Sequence, residues 1–422
     1  MSSTKIPSEF IRAIPKTDLH VHLDGSIRIP TLIELAREHS VPLPSYTEGG
    51  LKETVFKERY ANLGEYLSGF QYTVAVMQTD EALERTAYEL ACDNFAEGVR
   101  YLEVRFAPQL HCRPGFEIVD VLRAVNRGMQ RAQKEFARFP AIANGEEPPF
   151  RYGIIVCAMR MFSKGFSEYY RRFTGMFSNT SKHRLYGLAS MVLAEAIVGI
   201  MKSEEDLPIV AFDLAGQEDG FPAEDHIEAF QFVHKNFLKK TVHAGEAYGP
   251  ESIFQAITDL HADRIGHCYH LFSPERIQDP RIKDPELYVS DLAQYIADRR
   301  ITLEVCLTSN LQTMPELTSL KEHKFKRILD AKLSACLCTD NRTVSSTTVS
   351  REIELAVEHF DLTPRQLRHI VIYGFKRSFF PEGYMLKRQY VRQIIDYYEK
   401  IEKQFGISSE HTDTTDDLDA MT

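Results

Sequence analysis

Residues 99–108, Val-Arg-Tyr-Leu-Glu-Val-Arg-Phe-Ala-Pro, form a short run rich in apolar and β-branched side chains, the profile of a buried strand. A few residues later Ile118, Val121, Leu122, Val125, Met129 and Ala132 recur at i, i+3, i+4 spacing and mark one face of a helix. A strand followed by an amphipathic helix is the unit of a parallel sheet. The unit recurs along the chain. Further candidate strands lie at 17–23, 152–159, 209–216, 240–245, 263–267, 301–307 and 332–340. Eight such units predict an α/β fold, a closed (β/α)8 TIM barrel, for which ~250 residues is typical.

The chain has 422 residues, so roughly 170 residues beyond that typical size go into insertions. The long one, about 30–98, reads as several helices between the first two strands. Shorter ones are 139–149, 165–183 and 272–285. The expected organisation is one barrel domain over 1–407, with 408–422 as a disordered acidic tail carrying Glu410, Asp413, Asp416, Asp417 and Asp419 without a Lys or Arg.

Composition narrows the class. Hydrophobic content of 43% supports a real core, and 50 Lys plus Arg against 60 Asp plus Glu give a net charge of −10. That balance argues against a protein that grips nucleic-acid backbones. No stretch approaches ~18 consecutive apolar residues, so no membrane span is expected. Residues 1–16 lack the apolar segment of a secretory signal. The seven cysteines are odd in number and contain no Cys-x-x-Cys, which predicts a reduced, cytoplasmic protein. No heptad or self-complementary strip indicates an oligomeric state.

The chemistry-bearing residues sit at strand ends. The first strand reads Thr17-Asp18-Leu19-His20-Val21-His22-Leu23-Asp24-Gly25, and residues i and i+2 of a strand share a face, so His20 and His22 can present two imidazoles to one point. Such a pair suits zinc; two polar residues at a strand end is the plain alternative. The fifth strand ends in His243-Ala244-Gly245-Glu246, a third imidazole followed by a carboxyl placed for general acid/base work. The sixth ends in Arg264-Ile265-Gly266-His267, where His267 is a fourth ligand or a group acting on metal-bound water. The eighth ends in Cys338-Thr339-Asp340-Asn341, where Asp340 offers a carboxylate ligand or a helix cap. His20, His22, His243, His267 and Asp340 all fall at the C-terminal ends of predicted strands, where barrel enzymes build their sites.

At these residues the chain resembles the adenosine deaminase family. The blocks are Thr17-Asp-Leu-His-Val-His-Leu-Asp-Gly-Ser26, His243-Ala-Gly-Glu246, Arg264-Ile-Gly-His267, Thr308-Ser-Asn-Leu-Gln-Thr313 and Thr339-Asp-Asn341, supported in order by residues 99–108 and by Asp213-Leu-Ala-Gly-Gln-Glu218. The resemblance implies one Zn²⁺ per chain, held by His20, His22, His243 and Asp340. It implies that Glu246 faces purine N1, that His267 faces the attacking oxygen, and that the Gly216 backbone meets N3. Asp24 would bind a ribose hydroxyl, with Tyr66, Leu67 and Phe70 forming an apolar lid. The implied reaction is hydrolytic deamination of adenosine, and of 2′-deoxyadenosine, to inosine-type product and ammonia, with zinc acidifying the attacking water. One departure is Asn341, where most of the family carries a second aspartate; an amide donates to purine N7 without needing protonation. Asp24 favours a ribose-bearing substrate over free adenine and repels a 5′-phosphate. Adenine or an adenine nucleotide is the alternative substrate, and a non-catalytic nucleoside-binding relative is the alternative class.

Overall fold

The computed structural model describes residues 6–203 and 206–408, so the predicted tail over 408–422 lies, but for residue 408, outside the described residues. Eight parallel strands run in sequence order: β1 (Lys16–His22), β2 (Val99–Phe106), β3 (Arg151–Met159), β4 (Ile209–Ala215), β5 (Lys239–Ala244), β6 (Arg264–His267), β7 (Thr302–Val305) and β8 (Ala335–Leu337). Nearly every strand residue is buried, as expected of a parallel sheet filled inside and covered by helices outside.

Closure between β8 and β1 is made by the site residues themselves. Val21 bridges Asp340 in parallel; the Asp340 N–H donates to the His20 carbonyl at 2.8 Å, and the His22 N–H donates to the Asp340 carbonyl at 2.7 Å. β4 and β5 pair only at Ala211–Lys239 and Phe212–Lys240. Above that point the fully buried Arg160 reaches across, donating to the His243 carbonyl at 2.5 Å and the Phe221 carbonyl at 2.9 Å.

Two predicted strands are shorter than expected. The stretch 332–340 is extended only over Ala335–Leu337, because Lys332 (φ +53°) and Asp340 (φ +59°) adopt left-handed backbone that ends a strand on either side. The stretch 301–307 stops at Val305, since Leu307–Thr313 turns into a helix. The insertion between β1 and β2 contains the helices Ile29–Glu38, Glu48–Thr54, Leu63–Ser68, Phe70–Val76 and Asp80–Ala96. Three of them start on side-chain caps, from Thr47, Asn62 and Thr79, which accept the orphan N–H groups of the first turn. Residues 165–183 supply the helix Glu168–Met176, capped by Ser167, while 272–285 holds only short 3₁₀ turns.

The helix Lys182–Ser203 has mean hydropathy 1.5 over its most apolar window, apolar and long enough by composition to cross a bilayer. Here its Leu185, Ala189, Leu193 and Ile197 face is buried, and it packs on β3 and the helix Ile227–Lys235.

Candidate metal and purine site

Parallel strands splay their C-terminal ends toward one mouth, and the sequence loads that mouth with imidazoles. One ligand atom each from His20, His243, His267 and Asp340, all buried, lies within 4.8 Å of the others. His22 adjoins them, its Nε2 3.1 Å from His243 Nε2 and 3.5 Å from Asp340 Oδ1. His267 and Asp340 both sit at positive φ, +62° and +59°, a backbone strain of order 1–3 kcal/mol each that packing must override.

The donor set fits a divalent cation. His20 Nδ1 lies 2.8 Å from Glu304 Oε2, which fixes its proton there and leaves the buried Nε2 without a hydrogen-bond partner, 3.4 Å from Asp340 Oδ1. His243 Nδ1 faces Asp213 Oδ1 at 3.2 Å, so its Nε2 is likewise turned to the cluster. Carboxylate–imidazole pairs of this kind orient metal ligands and raise their basicity. Burial drives His22 and His267 well below the ordinary imidazole range, keeping both neutral. Burial would raise the Asp340 carboxyl, but the His20 hydrogen bond and the surrounding imidazoles hold it well below the usual carboxylate range.

Beneath the cluster lies a buried charge network. Arg105 donates to Asp213 Oδ2 at 3.1 Å and to Glu304 Oε2 at 2.9 Å; Arg264 donates to Glu304 Oε1 at 2.7 Å and also pairs with Glu103. Burial alone would raise Glu304, yet Arg105 and Arg264 hold it ionised, well below its ordinary range.

A cavity of about 600 Å³ opens over the cluster. His22, Asp24, Gly216, Glu246, His267, Asp340 and Asn341 line it, with His20 beneath. Tyr66, Leu67 and Phe70 from the insertion form a wall together with Val74, Leu110, Met159, Met161 and Phe166; Gly165–Ser167 border it as well. None of the described lining residues is Lys or Arg.

Glu246 is buried, its Oε1 3.5 Å from His267 Nε2. Burial, and then the charges of Asp340 and Glu218, push its pKa well above the ordinary value, so it stands as a proton donor. Gly245 brings it there at φ +67°, where a β-carbon would also meet Ile253 Cδ1 at 2.5 Å. Burial pushes Asp24 up to about 7, and its Oδ1 has no partner within the protein. Asn341 spends one amide hydrogen on Tyr66 Oη at 2.7 Å, and Tyr66 Oη in turn meets Ser345 Oγ at 2.8 Å; the Asn341 Oδ1 is unpartnered. Tyr66 is thereby tied to the loop after β8.

Several residues were not singled out from the sequence for roles they take in the structure. Glu218 cradles the loop carrying Glu246, Ser309 donates to Asp340 Oδ2 at 2.7 Å, and Asn310 lies 3.2 Å from His267. Arg105 and Glu304 did carry a signal: a charge inside an otherwise apolar strand must be paired on burial.

An eight-stranded parallel barrel with a metal-ligating cluster and a perturbed carboxyl at its C-terminal mouth defines the class, a barrel hydrolase built to act on a small ligand. The adenosine deaminase family model matches residues 15–181 and 182–397. Adenosine deaminase 1 of Streptomyces coelicolor is 35% identical over 381 residues, covering 90% of this chain and 86% of that protein. A probable adenosine deaminase of Dictyostelium discoideum is 32% identical over 90% of this chain, which spans 42% of that longer protein. Among solved structures, an Arabidopsis N6-mAMP deaminase superposes with TM-score 0.68 at 25% identity, covering 92% of this chain and 99% of that one. The chain belongs to the adenosine deaminase family.

Proposed function

We propose that the protein converts adenosine and water to inosine and ammonia, with residues 1–407 acting as one catalytic unit in the cytoplasm. The observation that carries the nucleoside reading is a purine-sized cavity lined by the buried Glu246, with an unsatisfied Asp24 and no Lys or Arg among its described lining residues. A nucleotide's phosphate calls for basic partners, and Asp24 would meet it with a carboxyl. The seven cysteines are all free, in keeping with a reducing compartment.

His20, His22, His243 and Asp340 are the residues that would hold a single Zn²⁺. When bound, that ion would supply the Lewis acidity that lets water act as a nucleophile near pH 7. The rest is done by the chain. Asp24 accepts from a ribose hydroxyl and fixes the sugar, and the Gly216 backbone meets N3. Asn341, with its second amide hydrogen, donates to N7. Tyr66, Leu67 and Phe70 cover the base and exclude bulk water. Glu246 donates its proton to N1 as the ring accepts electron density, which makes C6 electrophilic enough for water to add. His267 faces the incoming oxygen. The C6–N6 bond then breaks: of the two protons released by water, one leaves with the nitrogen as ammonia and the other returns to Glu246, and the C6 carbonyl forms.

The test is the ultraviolet change from adenine to hypoxanthine chromophore, followed on adenosine, 2′-deoxyadenosine, adenine and AMP side by side. Adenosine turnover that falls about 10²–10⁴-fold in Glu246→Gln is expected for loss of a general acid. AMP or adenine outpacing adenosine would overturn the nucleoside reading.

A further inference from the structure

The orientation of His267 can be traced back to a group whose role is unambiguous. The backbone N–H of Phe325 donates to His323 Nδ1 at 3.0 Å, and a backbone N–H can only donate. Neutral His323 therefore carries its proton on Nε2. That nitrogen lies 3.2 Å from Asn310 Oδ1, which must accept. The Asn310 amide is thereby oriented with its NH₂ toward His267 Nδ1, 3.2 Å away, so Nδ1 is an acceptor. A neutral imidazole that accepts at Nδ1 bears its hydrogen on Nε2. All three side chains are buried, which leaves no water-exposed alternative at any joint. Burial holds His323 down at about 3, so it does not gain a second proton near neutrality.

We propose that His323 and Asn310 are positioning residues that lock His267 as its Nε2–H tautomer, making it a hydrogen-bond donor to the oxygen side of the cavity and not a metal ligand. His267 Nε2 is the nitrogen that faces Glu246 Oε1, at 3.5 Å, and the pocket. With a hydrogen there it has no lone pair for a cation, and its Nδ1 lone pair is taken by Asn310. Of His20, His243 and His267, His267 alone is excluded in this way. His20 and His243 are tautomerically set the other way, their Nδ1 protons on Glu304 and Asp213. The inference rests on reading the cavity as the deaminase site, but the tautomer is measurable without turnover.

The experiment uses full-length protein labelled with ¹⁵N-histidine, zinc-loaded and metal-free, read by long-range ¹H–¹⁵N correlation. The His267 pattern is assigned by its disappearance in His267→Ala. The expected result is a protonated, pyrrole-type Nε2 and an unprotonated, pyridine-type Nδ1 in both forms. Asn310→Asp replaces the donor with a carboxylate that can only accept; it should invert the pattern and lower kcat about 10–100-fold, the usual cost of losing an orienting partner. Metal analysis should find zinc retained at one per chain in His267→Ala. A wild-type His267 protonated on Nδ1 would overturn the proposal, and so would loss of zinc in His267→Ala. Because the wild-type spectrum needs no variant to fold, the proposal is decided either way. The expected spectrum on a protein inert toward adenosine would sink the substrate reading and leave this one standing.

Discussion

The carboxylate of Glu218 lies under the backbone of Glu246 and accepts from its N–H at 2.9 Å. The same carboxylate accepts from Gly245 at 2.8 Å, Ala247 at 2.6 Å, Tyr248 at 3.0 Å and the Ser252 hydroxyl at 2.5 Å. Five donors on one buried anion fix the loop that leaves β5, and with it the direction of the Glu246 side chain. The Glu218 charge also contributes, after burial and Asp340, to keeping Glu246 protonated.

Glu218→Gln keeps the size but replaces one accepting oxygen with an NH₂ that faces N–H groups. Stability should fall by about 3 kcal/mol, the scale of hydrogen bonds to a charged group. kcat should fall about 10²-fold, as expected when a catalytic group is displaced by an ångström. Urea unfolding and kinetics on adenosine check both, and a variant with wild-type kcat would show that Glu246 does not depend on this cradle.

Glu304 is the shared acceptor of His20, Arg105, Arg264 and the Thr241 hydroxyl, at 2.7–3.0 Å. In Glu304→Gln the two arginines lose a buried counter-charge, a change that costs about 3–5 kcal/mol. His20 loses its orienting anion, so zinc affinity should drop about 10–100-fold. Chelator competition measures the second effect independently of activity. Wild-type zinc affinity would remove Glu304 from any role in the metal centre.

The barrel and the cluster were legible because both leave local signals. Period and composition mark the strands, and His20, His22, His243, His267 and Asp340 announce themselves at strand ends. Glu304 stood out as a charge inside an apolar strand, but the pairings of the supports were not legible, because the partners are distant in sequence: Glu218 meets a loop 27–30 residues on, and Glu304 meets His20 across 284 residues. Strand ends failed where backbone sterics overrode side-chain pattern. Asp340 looks like the last residue of a strand, yet its left-handed φ turns the chain to aim its carboxylate inward. Tyr66, Leu67 and Phe70, expected as a lid, read nearly as well as core; Tyr66 is 1% exposed and also lines the cavity.

Gly25 packs so closely that an added β-carbon would lie 1.8 Å from Asn341 Oδ1. Gly25→Ala must therefore displace the Asn341 side chain and break its 2.7 Å bond to Tyr66. kcat/KM should fall by about 1–3 kcal/mol, the cost of leaving buried polar groups unsatisfied, and Asn341→Ala alone should cost about the same. The double variant Gly25→Ala/Asn341→Gly removes every atom of the clash, so its loss should not exceed that of Asn341→Gly alone. Additive losses in this cycle would mean that Gly25 acts through something other than Asn341.

Glu352 gives the pH dependence of stability a specific source. It is fully buried in the helix Val349–Phe360 and accepts from the Thr308 N–H at 3.1 Å, the Thr347 hydroxyl at 2.6 Å and the Thr308 hydroxyl. It thereby anchors the helix Leu307–Thr313, which delivers Ser309 and Asn310 to the site. Burial, only partly offset by those hydrogen bonds, pushes its pKa from 4.5 up to about 7. A carboxyl raised in the folded state binds its proton more tightly there than in the unfolded chain. Its contribution is therefore complete below the unfolded value and is lost as pH rises through the folded one. The loss amounts to about 3 kcal/mol between roughly pH 5 and pH 8. Glu352→Gln stays neutral throughout and should not show it. Urea unfolding of both proteins across that range should give free energies that diverge toward alkaline pH, wild type falling faster. Parallel curves would mean that Glu352 does not titrate there.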